Sequence, residues 1–384
     1  MMKAKKLTAL LLCVLLLCSM LGACGKTQEP AETPAEAPAE TPVETPAEPV
    51  VEDVFEGDVA LEEPVKVILA GLLNANVTPY YVALEKGFFI ERGLQVEFLT
   101  VASGNEAAAA LASGDVDMCF AALNNFQSAI ASGVEDNVAV SIITGNGGLE
   151  GYDTHLALIA HPDSGIKTIA DMKGKSIGTQ LGGTSEVYAR AALEDAGLNP
   201  DTDVEWIHIN NADQLTSFIN HDVDVISSSE PYNSQFMIEV PGSVEVVRGG
   251  GYYTYASCNQ FKREFIAEHP DIVLRVLTAL AEAAHYTRNN PAEAAEILSH
   301  WISGSDVELL TMSLQFVGFD PRITEHTLYA WDYAGQTLID QGKLTEAIAP
   351  DNYMNTSFIN QIVEAHPEWF EDLNDVALAD IVAK

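Results

Sequence analysis

From Val65 onward, short apolar runs of period two alternate with longer stretches of helical period, the pattern of an α/β fold. Val65–Ala70 predicts a strand. A helix follows from about Pro79 to Lys86, with proline in its first turn and Gly87 to close it. Leu94–Leu99 alternates as a strand, Asn105–Ala112 reads as an alanine-rich helix ending near Gly114, and Val116–Ala122 as a third strand. The same order then recurs: strand Ser176–Thr179, helix Glu186–Ala196 ended by Gly197, strand Val204–Ile209, helix Gln214–Asn220, strand Val223–Ser227. The joints correspond as well, Ser113-Gly114-Asp115-Val116-Asp117-Met118 in the first copy and Asn220-His221-Asp222-Val223-Asp224-Val225 in the second. Two copies of β-α-β-α-β predict two similar lobes. Beyond Phe261 the pattern is almost wholly helical, with Asn290-Pro291 and Ser305-x-x-Glu308 marking helix starts.

The chain before Val65 has a different character. Lys3, Lys5 and Lys6 precede an apolar run from Leu7 to Met20, followed by Leu21-Gly22-Ala23-Cys24-Gly25. A run this short, closed by small residues, predicts an export signal rather than a spanning helix. The Leu-Gly-Ala-Cys ending resembles the lipobox of bacterial lipoproteins, which implies cleavage before Cys24 and diacylation of its sulfur. The alternative is an uncleaved anchor in which Cys24 is an ordinary thiol. From Lys26 to Pro64 the chain repeats Ala-Glu-Thr-Pro-like units and ends in an acidic run, too poor in apolar area to offset chain entropy. The expected division is a signal peptide over 1–23 and an extended, self-repelling tether over 24–64, with the remainder outside the cytoplasmic membrane.

Charge narrows the partners. The formal net charge is −37; the basic head contributes +3 and residues 25–64 contribute −11, so about −29 belongs to the folded part. With no Lys/Arg cluster there, nucleic acid and electrostatic docking on anionic lipid are excluded. About 320 residues after the tether exceed what one compact core usually holds, in keeping with two lobes. Cys13 and Cys18 lie in the signal. Cys119 and Cys258 remain and could pair, although Cys119 sits in an apolar strand and reads as a small core residue.

Open parallel sheets bind ligands beyond the carboxyl ends of their strands. Here those ends are rich in small and polar residues: Gly71 to Thr78, including Asn74, Asn76 and Thr78; Ala102-Ser103-Gly104-Asn105; Leu123-Asn124-Asn125; Gln180 to Ser185; and Ser227 to Tyr232, including Glu230. Such loops offer N–H groups, hydroxyls and amides at helix starts to oxygen-bearing ligands. Gly182-Gly183-Thr184-Ser185 is the sharpest element; it is either a ligand loop or a tight turn with a serine cap. Tyr80 and Tyr81 either wall a pocket or join the core, and His155 and Asn259 near the crossings are either ligands or structural. Catalytic and nucleotide motifs are absent, and His155, His161, His208 and His221 show no metal-ligand spacing, so neither cofactor nor metal is expected.

Thr78-Pro79-Tyr80-Tyr81-Val82-Ala83-Leu84-Glu85-Lys86-Gly87-Phe88-Phe89, with Gly93-Leu94-x-Val96, resembles the opening of the nitrate/sulfonate/taurine group of ABC-transporter substrate-binding proteins, which includes thiamine-precursor-binding proteins. Leu111 to Asp117, Ile169 to Lys175, Gly183-Thr184, Asp222-Val223-Asp224 and Glu230-Pro231-Tyr232 agree in order. The resemblance spans about Val65 to Asn290. It implies a two-lobed type II periplasmic-binding fold, each lobe a parallel-rich sheet flanked by helices, with a C-terminal helical extension. Lobe 1 would comprise 65–155 and 260–384, and lobe 2 would comprise 156–259. Family contacts map onto Asn74, Asn76, Ser103, Gly104, Asn124, Gly183, Thr184 and Glu230. No arginine clamp for a carboxylate is found, Arg248 excepted. The implied function is capture of a small molecule by an anchored monomer for an ABC permease: a sulfonate, nitrate-like anion or taurine, or a neutral heteroaromatic vitamin precursor. The rivals are an enzyme on the same fold, in menaquinone- or pyrimidine-precursor synthesis, and a ligand-sensing partner of a membrane receptor.

Overall fold

The computed structural model describes residues 54–101, 103–145, 153–181, 183–302 and 305–373. The signal, Cys24, most of the tether and Gly182 lie outside the described residues. In chain order the strands are β1 (Val65–Gly71), β2 (Leu94–Thr100), β3 (Met118–Ala122), β4 (Asn137–Thr144), β5 (Leu156–Ala160), β6 (Ser176–Thr179), β7 (Glu205–His208), β8 (Val225–Ser229), β9 (Val244–Arg248) and β10 (Ser257–Lys262). They form two five-stranded sheets, ordered β2-β1-β3-β10-β4 and β7-β6-β8-β5-β9. In each, a central strand runs parallel to two neighbours, and a strand from the other side of the crossing, β10 or β5, inserts antiparallel. The internal repeat is therefore a repeat of topology, and the α/β, two-lobed architecture is the observed one.

The Asp-Val-Asp joints have a structural use in both halves. Asp117 Oδ2 accepts the Ile68 N–H at 2.8 Å, and Asp224 Oδ2 accepts the Ser176 N–H at 3.0 Å. Each carboxylate satisfies a donor of the neighbouring parallel strand, just before the strand it precedes begins. Strands β4 and β5 are buried along their whole length, as expected for sheets covered on both faces. Helix Pro270–Asn289 lays Val273, Val276, Leu277 and Leu280 into the first core, alongside Tyr80 and Tyr81 of helix Thr78–Lys86. Side chains of that size each contribute about 1.5–3 kcal/mol on burial. Gly87 (φ 85°) and Gly114 (φ 83°) end their helices in the left-handed region, as their positions predict.

Two expectations are corrected. The tether does not run to residue 64, because residues 55–61 are pinned to the first lobe. Glu56–Asp58 forms a 3₁₀ turn; buried Arg92 donates to Gly57 O and pairs with Asp58 at 2.9 Å, and Arg275 Nε donates to Val59 O at 2.8 Å. Phe55 and Leu61 pack against the first core. The helix predicted from Ser305 instead has Asp306 as its cap, accepting from the N–H groups of Glu308 and Leu309, while Ser305 Oγ donates to Ile302 O.

The chain crosses between the sheets before β5 and again over 249–256. Buried Asp153 fastens the two crossings together by accepting the N–H groups of Gly251, Tyr252 and Tyr253 at 3.0, 2.7 and 3.0 Å. Burial raises its carboxyl pKa, and these donors pull against that rise. Gly249, Gly250 and Gly251 all take positive φ, and a Cβ on Gly250 would lie 2.6 Å from the Tyr252 ring, so this turn needs glycine.

Candidate functional site

Two adjoining cavities share Gly183 and Thr184, the start of helix Thr184–Asp195. Gly183 is the N-cap and supplies no side-chain acceptor, so the first N–H groups of this helix are not taken up by a cap. One cavity, of about 160 Å³, is lined by Asn76, His155, Gln180, Ser185, Asn211, Ser229 and Tyr255, with Gly183 and Thr184. The other, about 220 Å³, brings Asn105, Asn124, Asn125 and Ser128 of the first half against Gly183, Thr184, Val187 and Tyr253. Thr337, Leu338, Gln341 and Lys343, at the end of helix Glu325–Asp340 and just after it, close its rim. Residues from both sheets and both crossings thus converge on one helix N-terminus.

The smaller cavity is polar without any charged lining group. His155 is buried against the Tyr255 ring, 4.9 Å between centroids. Burial, reinforced by the Arg248 guanidinium, lowers its pKa to about 4, so it is a neutral imidazole at physiological pH. Tyr255 bonds Ser257 at 2.6 Å and lines the same cavity as Asn76. Tyr253 lines the larger cavity with Thr184, and burial drives its phenol pKa far upward, keeping it a neutral hydroxyl.

Of the residues singled out in the sequence, Asn76, Asn124, His155, Gly183, Thr184 and Ser185 line these cavities. Gly182 lies outside the described residues, and the others are placed elsewhere. Asn74 caps the short turn Ala75–Val77 by accepting from the Asn76 N–H. Thr78 is buried and donates its hydroxyl to Ala75 O. Tyr80 is 0% exposed and donates to Asn259 Oδ1; Asn259 in turn donates to Ser141, a buried chain across the first sheet. Tyr81 packs on Trp301 and Phe98. Ser103 is a helix cap accepting from Glu106 N–H, and Gly104 is buried so close to Asn125 that a Cβ would meet its amide at 3.1 Å. Glu230 is buried in an ion pair with Arg248 at 2.5 Å, and burial raises its carboxyl pKa against the pull of that arginine. Arg248 is committed to Glu230, Glu245 and Thr154 O, beneath the Phe316 ring at 3.8 Å, and so is not an anion clamp.

Sequence reasoning left Gln180, Asn211, Ser229, Tyr253 and Tyr255 off the site. Gln180 and Ser229 stood in the polar strand ends and were legible there. Tyr253 and Tyr255 come from the return crossing, and Thr337 to Lys343 from far along the chain, where no local pattern marks them. The fold also brings together two histidines that show no ligand spacing, His161 and His221, whose rings stack at 3.9 Å.

A family profile described as NMT1/THI5 like matches residues 74–294, more than half of the chain. The chain belongs to the NMT1/THI5-like family. Within reach of this NMT1/THI5-like chain is a binding protein of Brucella abortus (strain 2308), 26% identical over 263 residues, covering 67% of this chain and 78% of that one. Among solved structures, the periplasmic aliphatic sulphonate binding protein SsuA of Escherichia coli aligns with TM-score 0.65 at 17% identity, over 77% of this chain and 93% of that one. The desulfurization enzyme DSZB aligns with TM-score 0.60 at 18% identity, over 78% and 99%. At these identities the two structures establish the shared fold, and the sequence relatives of this NMT1/THI5-like chain include proteins named for binding.

Proposed function

We propose that this chain is an extracytoplasmic solute-binding protein, held to the membrane by lipid on Cys24, that captures a small polar molecule between its lobes and hands it to an ABC permease. The observation that carries the reading is the convergence of both sheets on the open N-terminus of helix Thr184–Asp195, in a cavity whose polar lining groups are all neutral. Backbone N–H groups, amides and hydroxyls match sulfonate or nitrate oxygens, and equally the polar edge of taurine or of a neutral heteroaromatic. The sulphonate ligand in the SsuA name supports this chemistry by analogy of fold. A ligand touching both lobes favours their closed arrangement by its differential affinity, and the permease reads that state.

The enzyme reading has less support in this chain. Among the described residues the cysteines are Cys119 and Cys258, both buried in the first sheet with burial raising their thiol pKa, that of Cys258 to about 12. Neither lines the cavities, so neither offers a reactive thiolate there.

The test is native mass spectrometry of protein extracted from membranes without refolding, on wild type and on Thr184→Ala. The expected wild-type spectrum carries the mass of acyl chains and of one co-purifying small molecule. Loss of one hydrogen bond to a desolvated ligand costs about 1–3 kcal/mol, roughly ten- to a hundred-fold in affinity, so Thr184→Ala should arrive largely empty. An unacylated protein, or equal occupancy in the variant, would count against the anchor or the site respectively.

A further inference from the structure

One cluster of chemistry-bearing side chains plays no part in the cleft. His161 follows β5 directly and is buried edge-on against Phe218, 5.4 Å between centroids at 81°. His221 follows helix Asn211–Ile219 in the left-handed region, φ 57°, which histidine tolerates better than most residues. The two imidazoles stack at 3.9 Å with 15° between planes. Asp163 Oδ2 lies 4.0 Å from His161 Nδ1, and one ligand atom each from His161, Asp163 and His221 falls within 4.8 Å of the others. Asp224 stands alongside, 3.7 Å from His221 Nε2, but it is already engaged by Lys175 and Ser176.

We propose that His161, His221 and Asp163 form a binding site for a divalent transition-metal cation, with Zn²⁺ the ion that best fits two imidazoles and a carboxylate. Three protein ligands leave one tetrahedral position for water, and Mg²⁺ and Ca²⁺ are disfavoured because they take oxygen ligands. Ligand atoms about 2.0–2.1 Å from Zn²⁺ lie roughly 3.3 Å from one another, so the cluster closes by less than about 2 Å on loading. Parallel rings send their lone pairs along parallel lines, so one ring must turn. His221, on an exposed turn, is the one with room, whereas His161 is wedged against Phe218. Asp163 is 81% exposed and gives the ion its route in from solvent. Coordination at His161 Nδ1 replaces only the long 3.2 Å bond from the Asp163 N–H.

The location separates this site from the ligand. β5 leads from cavity-lining His155 and Leu156 to His161 at its far end, about 16–20 Å away at the usual rise per strand residue. A bound ion would staple the turn after β5 to the end of helix Asn211–Ile219 and stiffen the second lobe without touching the solute.

The experiment uses untagged full-length protein stripped with EDTA and titrated with Zn²⁺ by calorimetry, with Co²⁺ absorption as a second readout. One equivalent should bind with a micromolar or tighter Kd, raise the melting temperature and give the visible d–d bands of a four-coordinate Co²⁺ site. His221→Ala should weaken Zn²⁺ binding by about 30-fold or more. Asp163→Asn, at an exposed position where folding is not at risk, should weaken it by about tenfold with the EDTA melting temperature unchanged. Absence of binding at about 0.1 mM Zn²⁺, or wild-type affinity in both variants, would overturn the site.

Discussion

His155 shows how one residue's environment sets both its chemistry and its effect on stability. Burial first, and then Arg248, hold its pKa near 4, against an ordinary value of 6.5. Between those values the unfolded chain binds a proton that the folded chain refuses. Stability is therefore full above about pH 6.5 and falls as the pH drops through the window to about 4, by up to about 1.4 kcal/mol per unit. His155→Asn should flatten this loss. Urea denaturation at pH 7, 5.5 and 4.5 would show the gap between wild type and variant narrowing by a few kcal/mol on acidification; parallel curves would mean that the histidine is not buried neutral. The sequence showed a histidine near a crossing but not its state, because the shift comes from Tyr255 and Arg248, residues that only the return crossing and β9 bring beside it.

Elements with local causes were legible in the sequence, and those made by distant pairing were not. Ser176–Thr179 coincides with β6, and helices closed by Gly87 and Gly114 end where those glycines stand, since turn chemistry and period are local signals. β10 carried no such signal: its partners β3 and β4 lie more than a hundred residues upstream, and its polar Asn259 and Gln260 are accommodated only within the finished sheet. The tether's true end was hidden for the same reason. Phe55 to Leu61 reads as acidic linker, yet Arg92 and Arg275, buried elsewhere, need the acceptors it carries. Arg92 also pairs with Glu282 of helix Pro270–Asn289, so this strap and that helix share one buried cation. Arg92→Ala strands those partners and should cost on the order of 3 kcal/mol by chemical denaturation. A chain starting at residue 65 should melt about 5 °C or more below one starting at residue 54. Equal melting of the two would show the strap to be an ornament of the fold.

At the scale of the molecule, charge and site chemistry pull in different directions. With Glu56, Asp58, Glu62 and Glu63 added to the count from residue 65, the folded part carries about −33, whereas the smaller cavity has no charged lining group and the larger has the single cation Lys343, exposed at its rim. The one arginine that stood as a possible clamp, Arg248, is neutralised by Glu230 and Glu245. An anion approaching this surface meets a repulsive field, felt in the association rate and screened over about 8 Å at physiological ionic strength. Nothing inside except neutral dipoles compensates, so the arrangement suits a neutral or zwitterionic solute better than a simple anion. Stopped-flow association of the co-purifying molecule should then change by less than about twofold between low and physiological salt. An anion held by dipoles alone would associate severalfold faster as salt rises. Such an acceleration, abolished in no part by Lys343→Gln, would restore a sulfonate or nitrate-like ligand and assign its capture to the helix N-terminus at Thr184.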